Sequence, residues 1–276
     1  MFHADTKYAR IASGAALLAA MLACASLVPA QQPKKPTKPR SKAPAPAAAA
    51  PAPAPAPVPF RVGETLEYRV LFSKYAVNAG KIEISVIEQR SFFGHFAWHL
   101  RASAHTVDTT RMLYAIDDQF DSYTSVSNLS SLQYEMYLHE QGKEQTSLYR
   151  MTTDADPAPE QGTAVRVTTG TCDVIDFLYS LRAADWQRTP ERRTPVFEGQ
   201  HLYDTVARID TPQGMVHVPA GDLPAFRVAI RLFDHGKEIT DTHIWLWFAN
   251  GAARIPVLIE AEIPIGIFRV ELMHLP

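Results

Sequence analysis

The chain has 276 residues and a formal net charge of −2, and this near-neutral total conceals two parts of opposite sign. Seven of the 27 lysine and arginine residues precede Phe60, but only one of the 29 acidic residues does, which leaves 20 basic and 28 acidic residues, or −8, in the remainder. Nucleic-acid binding needs an excess of positive charge on the folded body, so this composition excludes a nucleic-acid partner.

Residues 1–30 have the pattern of a secretory signal peptide, with two basic residues, then the apolar segment 11–28, then the sequence VPA ending at Ala30. Two alternatives stay open. The sequence MLAC ending at Cys24 resembles a lipoprotein cleavage box, and the segment 11–28 is long enough to stay in place as a membrane anchor. Each of the three interpretations predicts a periplasmic or secreted location for the chain that follows.

Residues 31–59 have the composition of a linker rich in proline and alanine. Proline fixes φ and lacks an N–H donor, so this segment favours an extended polyproline II conformation. At roughly 3.1 Å per residue it can span on the order of 90 Å. Five basic residues within 34–42 suit contact with an anionic membrane or a cell-wall polymer, and a solvated spacer explains the same composition.

Residues 60–276 are predicted to form a single β-rich domain, because β folds of this length commonly occur as one unit. With Cys24 in the signal segment, Cys172 is the one cysteine of this domain, which excludes an intramolecular disulfide. The hydrophobic core must therefore stabilise the domain, and a chain of this size can bury enough apolar surface to do so.

Alternating apolar and polar residues predict the opening strands of the domain, over 60–72, then over 81–89 after a turn at Gly80, then over 96–105. In the last of these the side chains expected to face inward are Phe96, Trp98, Leu100, Ala102 and Ala104, and those expected to face outward are His99, Arg101, Ser103 and His105.

The rest of the domain continues this pattern. The segment 115–124 is expected to be a polar strand or sheet edge, and 132–140 alternates clearly. Hairpin turns are expected at 234–237 and at Asn250-Gly251. About ten strands in consecutive hairpins predict an antiparallel sheet that curls into an open or barrel-like domain.

One helix is predicted in this β-rich background, over 173–182. Asp173 is a suitable N-cap, and apolar residues surround almost the whole helix, so it should be buried in the concave face of the sheet. Arg182 is too polar to be buried alone, and we expect it to meet an acidic side chain or backbone carbonyls at the rim.

Several short motifs resemble the bacterial envelope family known as domain of unknown function 3108. They are FRVGETLEY from Phe60, the turn at Gly80, the helix from Asp173 to Arg182, RIPV from Arg254, and Ile265-Gly266. These motifs come in the family's order across 60–276. The resemblance implies a curved β-sheet domain exported to the periplasm, and it implies no established activity.

The residues offer little support for catalysis. Cys172 precedes a helix N-terminus, which favours a reactive thiolate, but buried cysteines are more commonly structural. His99 and His105 lack a third or fourth metal ligand, and the acidic residues of 117–121 lack the glycine of a calcium loop. No serine-hydrolase or phosphate-loop motif is present. We therefore predict a non-enzymatic protein without a cofactor or a metal.

The aromatic residues of the strands give the best functional indication, because aromatic walls with a few polar groups are typical of pockets for apolar ligands. Plain core packing explains the same residues. The candidate lining of a ligand pocket consists of Tyr68, Trp98, Tyr134, Tyr179, Arg182, His243, Trp245 and Trp247.

The leading hypothesis is that this envelope protein binds an apolar or lipid-bearing component of the envelope. One alternative is a protein–protein interaction module in envelope assembly, which would use strand edges or the acidic surface. A hydrolase of envelope polysaccharide is the third, and it would need two carboxyl groups roughly 5–10 Å apart.

Overall fold

The computed structural model describes residues 57–72, 77–153 and 161–276. The predicted signal peptide and most of the predicted linker lie outside the described residues, which include only 57–59 of the linker. The described chain is mainly β and forms one large sheet that curls without closing, with two short helices. The predicted fold class is therefore confirmed.

The strands are β1 (Thr65–Phe72), β2 (Val77–Phe92), β3 (His95–Thr106), β4 (Asp117–Ser125), β5 (Ser131–Glu140), β6 (Lys143–Thr152), β7 (Thr163–Arg166), β8 (Cys172–Asp173), β9 (Glu191–Phe197), β10 (Leu202–Val218), β11 (Gly221–Asp234), β12 (Lys237–Glu238), β13 (His243–Ala249), β14 (Pro256–Ile263) and β15 (Gly266–Leu272). The helices are α1 (Asp108–Leu113) and α2 (Val174–Ala183).

The first and last strands of the domain meet in the middle of the sheet. The strand order is β7-β6-β5-β4-β3-β2-β1-β15-β14-β13-β11-β10-β9-β8, and β12 pairs with β11. All pairings are antiparallel except β6 with β7 and β8 with β9, at the two edges. The two halves of the sheet approach each other where the Ser131 N–H, at the start of β5, donates to the Thr171 carbonyl at 3.0 Å, just before the edge strand β8.

The alternating pattern of the first strands defines the inner face as predicted. Leu66, Tyr68 and Val70 in β1 are at most 1% exposed, and they join a core cluster that runs through both halves of the sheet and includes α2. Because successive side chains of a strand point to opposite faces, the polar residues between them lie on the outer, convex face.

Two residues of β3 differ from their prediction. Phe96 was expected to face the core but is 69% exposed, because it lies at the end of the strand, beyond the covered part of the inner face. His99 does lie on the outer face, yet it is only 7% exposed, because the Tyr123 ring stacks on it and Asp121 binds it. Alternation identifies the face of a side chain but not the neighbours that cover it.

The segment 115–124 forms a polar strand as predicted, but the alternative expectation that it is a sheet edge is wrong. β4 pairs with β3 on one side and β5 on the other, and seven of its nine residues, all polar or aromatic, are buried. Its polar side chains bind partners on neighbouring elements, for example where the Ser122 hydroxyl donates to Asp173, the N-cap of α2, at 2.6 Å.

The helix α2 forms as predicted. The Asp173 carboxylate caps it by accepting hydrogen bonds from the N–H groups of Ile175 and Asp176, both at 3.0 Å. The residues from Val174 to Arg182 are all buried. The short helix α1 was not predicted, and none of its residues is buried. Its sequence, DTTRML, has no apolar periodicity that would have indicated a helix.

Candidate functional site

The inner part of the predicted pocket lining is a packed core. Tyr68, Tyr134, Tyr179 and Arg182 are each at most 1% exposed. A side chain that lined a cavity wide enough for water would keep accessible surface, so these four contact protein atoms on all sides. The Tyr68 hydroxyl donates to the Pro256 carbonyl at 2.8 Å, which satisfies one buried polar group.

Arg182 finds the partners that the sequence predicted for it. Its guanidinium binds both carboxylate oxygens of Glu64, with Nη2 to Oε2 at 2.8 Å, and also donates to the carbonyls of Ala253 at 2.8 Å and Pro59 at 3.1 Å. The Phe60 ring contacts the Tyr179 ring edge to face at 4.7 Å beside this cluster. The start of the domain is thus tied to the C-terminal end of α2.

The other members of the predicted lining lie elsewhere. Trp98 is partly buried, and its ring is 5.2 Å from the Phe60 ring. His243, Trp245 and Trp247 lie on the outer face of β13, where the Arg227 guanidinium stacks over both tryptophan rings at 5.6 and 5.4 Å. The structure therefore does not bring the eight residues together around one cavity.

The residues before and at the start of α2 form a buried polar cluster without nucleophilic character. Burial raises the pKa of the Cys172 thiol, and Asp176 and Asp173 raise it further. Burial and the neighbouring Asp173 likewise raise the pKa of Asp176, although the adjacent Cys172 thiol and Thr124 hydroxyl oppose the shift. Since the thiolate is the nucleophile, a buried thiol held in its protonated form supports the structural interpretation of Cys172.

The outer face of β3, β4 and β5 carries a network of charged side chains. Asp121 accepts hydrogen bonds from His99, from Arg101 at 2.8 Å and from Gln119 at 2.6 Å. Burial opposes ionisation, but these donors outweigh it and lower the pKa of Asp121. Glu135 lies directly opposite Asp121 in the strand register.

This carboxylate pair is the arrangement in the described chain that most resembles the pair a polysaccharide hydrolase would need. Asp121 is only 2% exposed and Glu135 only 8%, and both are occupied by side-chain donors. A sugar could reach neither of them without displacing those donors. Among the described residues no group of three or more His, Cys, Asp and Glu side chains is placed to hold a metal ion.

The tip of the hairpin between β2 and β3 carries exposed aromatic side chains. Phe93 and Phe96 are each 69% exposed, and Phe92, whose ring contacts that of Phe93 at 4.7 Å, is buried against Tyr123 on the outer face. The Arg150 guanidinium lies 4.0 Å from the centre of the Phe93 ring. Large apolar side chains exposed close together can mark an interaction site, so this hairpin tip is a candidate binding surface, which we call the aromatic tip.

The backbone of the aromatic tip is not the one that phenylalanine prefers. Phe93 and Gly94 form a two-residue turn with φ of 47° and 79°, between the paired residues Phe92 and His95. Positive φ at both central positions defines a type I′ turn, which favours asparagine followed by glycine. Phenylalanine in the left-handed region costs roughly 1–2 kcal/mol, so an apolar side chain is kept here against a local preference. The Phe93-Gly94 pair was the one sequence signal for this site.

A groove lies at the opening of the curled sheet, between β9, the C-terminal half of α2 and the turn from β4 to β5. Its volume is about 320 Å³, and most of its lining is polar. None of the eight predicted pocket residues lines it. No periodic pattern indicated this groove, because its walls come from four separate segments, at 128–129, 169–172, 180–185 and 192–195.

The fold and these surfaces define a curled, open β-sheet protein with a helix across its concave face. Residues 67–273 match the model of the family described as "Protein of unknown function (DUF3108)", and the chain belongs to that family. A comparison with curated proteins gives no match. Within the described residues, no helix combines the length and apolar character needed to cross a bilayer.

Three solved structures are similar to the chain, each at 11% sequence identity. A β-barrel-like protein of the domain of unknown function DUF1849 from Brucella abortus has a TM-score of 0.48, over 76% of this chain and 95% of that one. A candidate lipoprotein from Parabacteroides distasonis has a TM-score of 0.39, over 79% and 98%. A candidate exported protein with a YmcC-like fold from Bacteroides fragilis has a TM-score of 0.32, over 79% and 97%. These scores are too low to bear on function.

Proposed function

We propose that this chain is an exported, non-enzymatic envelope protein that binds a lipid-bearing component through the aromatic tip. The observation that carries the proposal is the exposure of Phe93 and Phe96, 69% each, at one end of the sheet. Because the interior is packed, a site on the surface is favoured over an internal pocket. Export rests on the pattern of residues 1–30.

The chemistry of the aromatic tip suits an acyl chain with an anionic headgroup. Aromatic side chains insert at the boundary between headgroups and acyl chains, and nearby arginines attract anionic lipids. The Arg90 guanidinium lies over the rings of Phe92, at 5.7 Å, and Tyr123, at 5.3 Å, so a second cation flanks the tip. Full burial of one phenylalanine contributes roughly 1.5–3 kcal/mol, so two provide useful affinity.

The position of the linker favours the same orientation. The Phe60 ring, where the domain begins, contacts Trp98, and Trp98 is two residues from Phe96 on the same strand. Residues two apart on a strand are about 7 Å apart. The Pro-rich segment therefore enters the domain beside the aromatic tip, so a chain attached to a membrane through its N-terminal part would present this end to the bilayer.

Vesicle flotation tests this proposal. The chain without residues 1–30 is mixed with vesicles of phosphatidylethanolamine and phosphatidylglycerol, and the bound fraction is compared with that of the double variant Phe93→Asn and Phe96→Ser. We expect binding to fall about a hundredfold, since each of the two rings removed forfeits about 1.4 kcal/mol or more, which is tenfold per ring. Phe93→Asn alone should raise the free energy of unfolding by about 1 kcal/mol, so lost binding would not reflect unfolding.

The matched control lies at the opposite end of the same strand. Met112 and Leu113 of α1 are 87% and 78% exposed, so the double variant Met112→Ser and Leu113→Ser removes a comparable apolar surface. We expect this variant to bind vesicles like the unchanged chain. Equal losses in both double variants would indicate nonspecific adhesion, and no loss at the aromatic tip would reject the proposed site.

A further inference from the structure

The strand β9 has an unpaired edge beside the groove. It pairs with β10 along its whole length, from Glu191 to Phe197, but with β8 only at Val196 and Phe197. The stretch 191–195 therefore presents an edge to the groove. Free strand edges are templates for pairing with another chain, and proteins that do not use them usually block them.

The register identifies which backbone groups of β9 are available. The Ile209 N–H donates to the Pro190 carbonyl at 3.3 Å, so in this antiparallel pair residue 190 and every second residue after it bond toward β10. The N–H and C=O groups of Glu191 and Arg193 consequently point away from β10, toward the edge. Pro195 has no N–H, so the donors at this edge come from Glu191 and Arg193.

Arg192 makes the groove cationic on its inner side. Its side chain shares a strand face with the buried Thr194 and Val196 and lines the groove. Its Nε atom is buried without a hydrogen-bond partner, and no ion pair among the described residues includes Arg192. Asp185 also lines the groove, and its carboxylate accepts from the Arg188 N–H at 3.3 Å. A buried donor without an acceptor costs roughly 1–3 kcal/mol, which an incoming carboxylate would recover.

We infer that the edge of β9 binds an extended, acidic segment of a partner protein, which adds to the sheet as a strand and places a carboxylate against Arg192. Backbone pairing with Glu191 and Arg193 would provide affinity, and the arginine would provide selectivity for an acidic side chain. The chain's own linker is a poor occupant, because its 34–42 part is basic and its prolines lack N–H donors. This inference does not depend on the aromatic tip.

Fluorescence anisotropy with two synthetic peptides tests the inference on the exported form of the full chain. One labelled peptide alternates valine with glutamate, and the other alternates valine with lysine. We expect the acidic peptide to bind and Arg192→Gln to weaken it by about tenfold or more, as for loss of a charged hydrogen bond. Preference for the basic peptide, or no binding of the acidic one, would overturn the inference.

A second pair of variants separates strand addition from simple charge attraction. Arg193→Pro removes an edge N–H while leaving the bonds to β10, whereas Arg193→Ala removes the same side chain and keeps that N–H. We expect the proline variant to bind several-fold more weakly than the alanine variant. Equal binding by both, or full competition by inorganic phosphate alone, would show a plain anion site and reject strand addition. Should Arg193→Pro not fold, the acidic peptide with an N-methylated backbone tests the same bonds on the unchanged protein.

Discussion

Asp118 is a buried ionisable residue whose charged form has little compensation. It lies on the inner face of β4, 1% exposed, and one oxygen accepts from the His139 N–H at 2.8 Å. Its other oxygen has no partner among the described residues. Burial raises the pKa of this carboxyl from its ordinary 3.8 to about 6, although the bond from His139 opposes the shift.

We predict that Asp118→Asn stabilises the domain at neutral pH. Because the folded-state pKa exceeds the unfolded value, the folded state holds the proton more tightly, and the free energy of unfolding falls as pH rises from about 4 to about 6. Above that range the ionised carboxylate costs about 2–3 kcal/mol, which asparagine avoids while still accepting the His139 bond. Urea unfolding of both proteins at about pH 4 and about pH 8 measures the difference.

The comparison between the two proteins at each pH isolates this one group, because other carboxyls such as Asp121 titrate equally in both. We expect the variant to gain stability over the unchanged protein at the higher pH, and little at the lower pH. A difference that is the same at both pH values would show that Asp118 is not the titrating group.

Local sequence patterns predicted some of the secondary-structure elements and not others. Alternation correctly predicted β1, β2 and most of β3, and the capping residue Asp173 with its apolar run correctly predicted α2. These features depend on side chains a few residues apart. The polar pattern of β4 indicated a strand but not its interior position, because its polar residues are satisfied by partners such as Asp173, 51 residues from Ser122. Alternation also could not show that Trp245 and Trp247 of β13 lie on the face opposite to Tyr68 of β1.

The groove beside β9 and the pairing of β1 with β15 could not be predicted from local sequence patterns. Both depend on contacts between segments far apart along the chain, and a single sequence carries no local sign of them. For Arg182 the prediction succeeded without knowledge of the partner, because the cost of burying a guanidinium alone is general. Naming Glu64 as that partner required the fold.

At the level of elements, the pair of Glu64 and Arg182 is predicted to hold the start of the domain against α2. Glu64→Gln leaves the charge of Arg182 buried with carbonyl partners alone, so it should cost about 3–5 kcal/mol. Replacement of both residues, by Glu64→Met and Arg182→Leu, should cost less than the single change, because no unpaired charge remains. Urea unfolding of the three proteins measures both effects, and a single variant within about 1 kcal/mol of the unchanged protein would contradict the prediction.

Across the whole molecule, positive and negative charge are concentrated in different segments, one attracted to an anionic membrane and the other repelled by it. The chain from Phe60 onward carries −8, which opposes approach to an anionic surface, while five basic residues are concentrated in 34–42. The aromatic tip must therefore act against the net charge of its own domain. We therefore expect the basic segment to contact the anionic surface, and the aromatic tip then to engage the lipid beneath it.

We predict that the basic segment and the aromatic tip make separable contributions to membrane binding. Replacement of Lys34, Lys35, Lys38, Arg40 and Lys42 by glutamine should weaken binding to vesicles containing phosphatidylglycerol, by about 1 kcal/mol per charge that lies near the surface. Binding to phosphatidylcholine vesicles should not change.

The matched control replaces Ala47–Ala50 by glutamine in the uncharged half of the linker. Since salt screens the first contribution and not the second, the glutamine variant should also lose the salt dependence of binding, while the Phe93→Asn and Phe96→Ser variant should keep it. If the basic segment could be neutralised without changing either the affinity or its salt dependence, the linker would act only as a spacer.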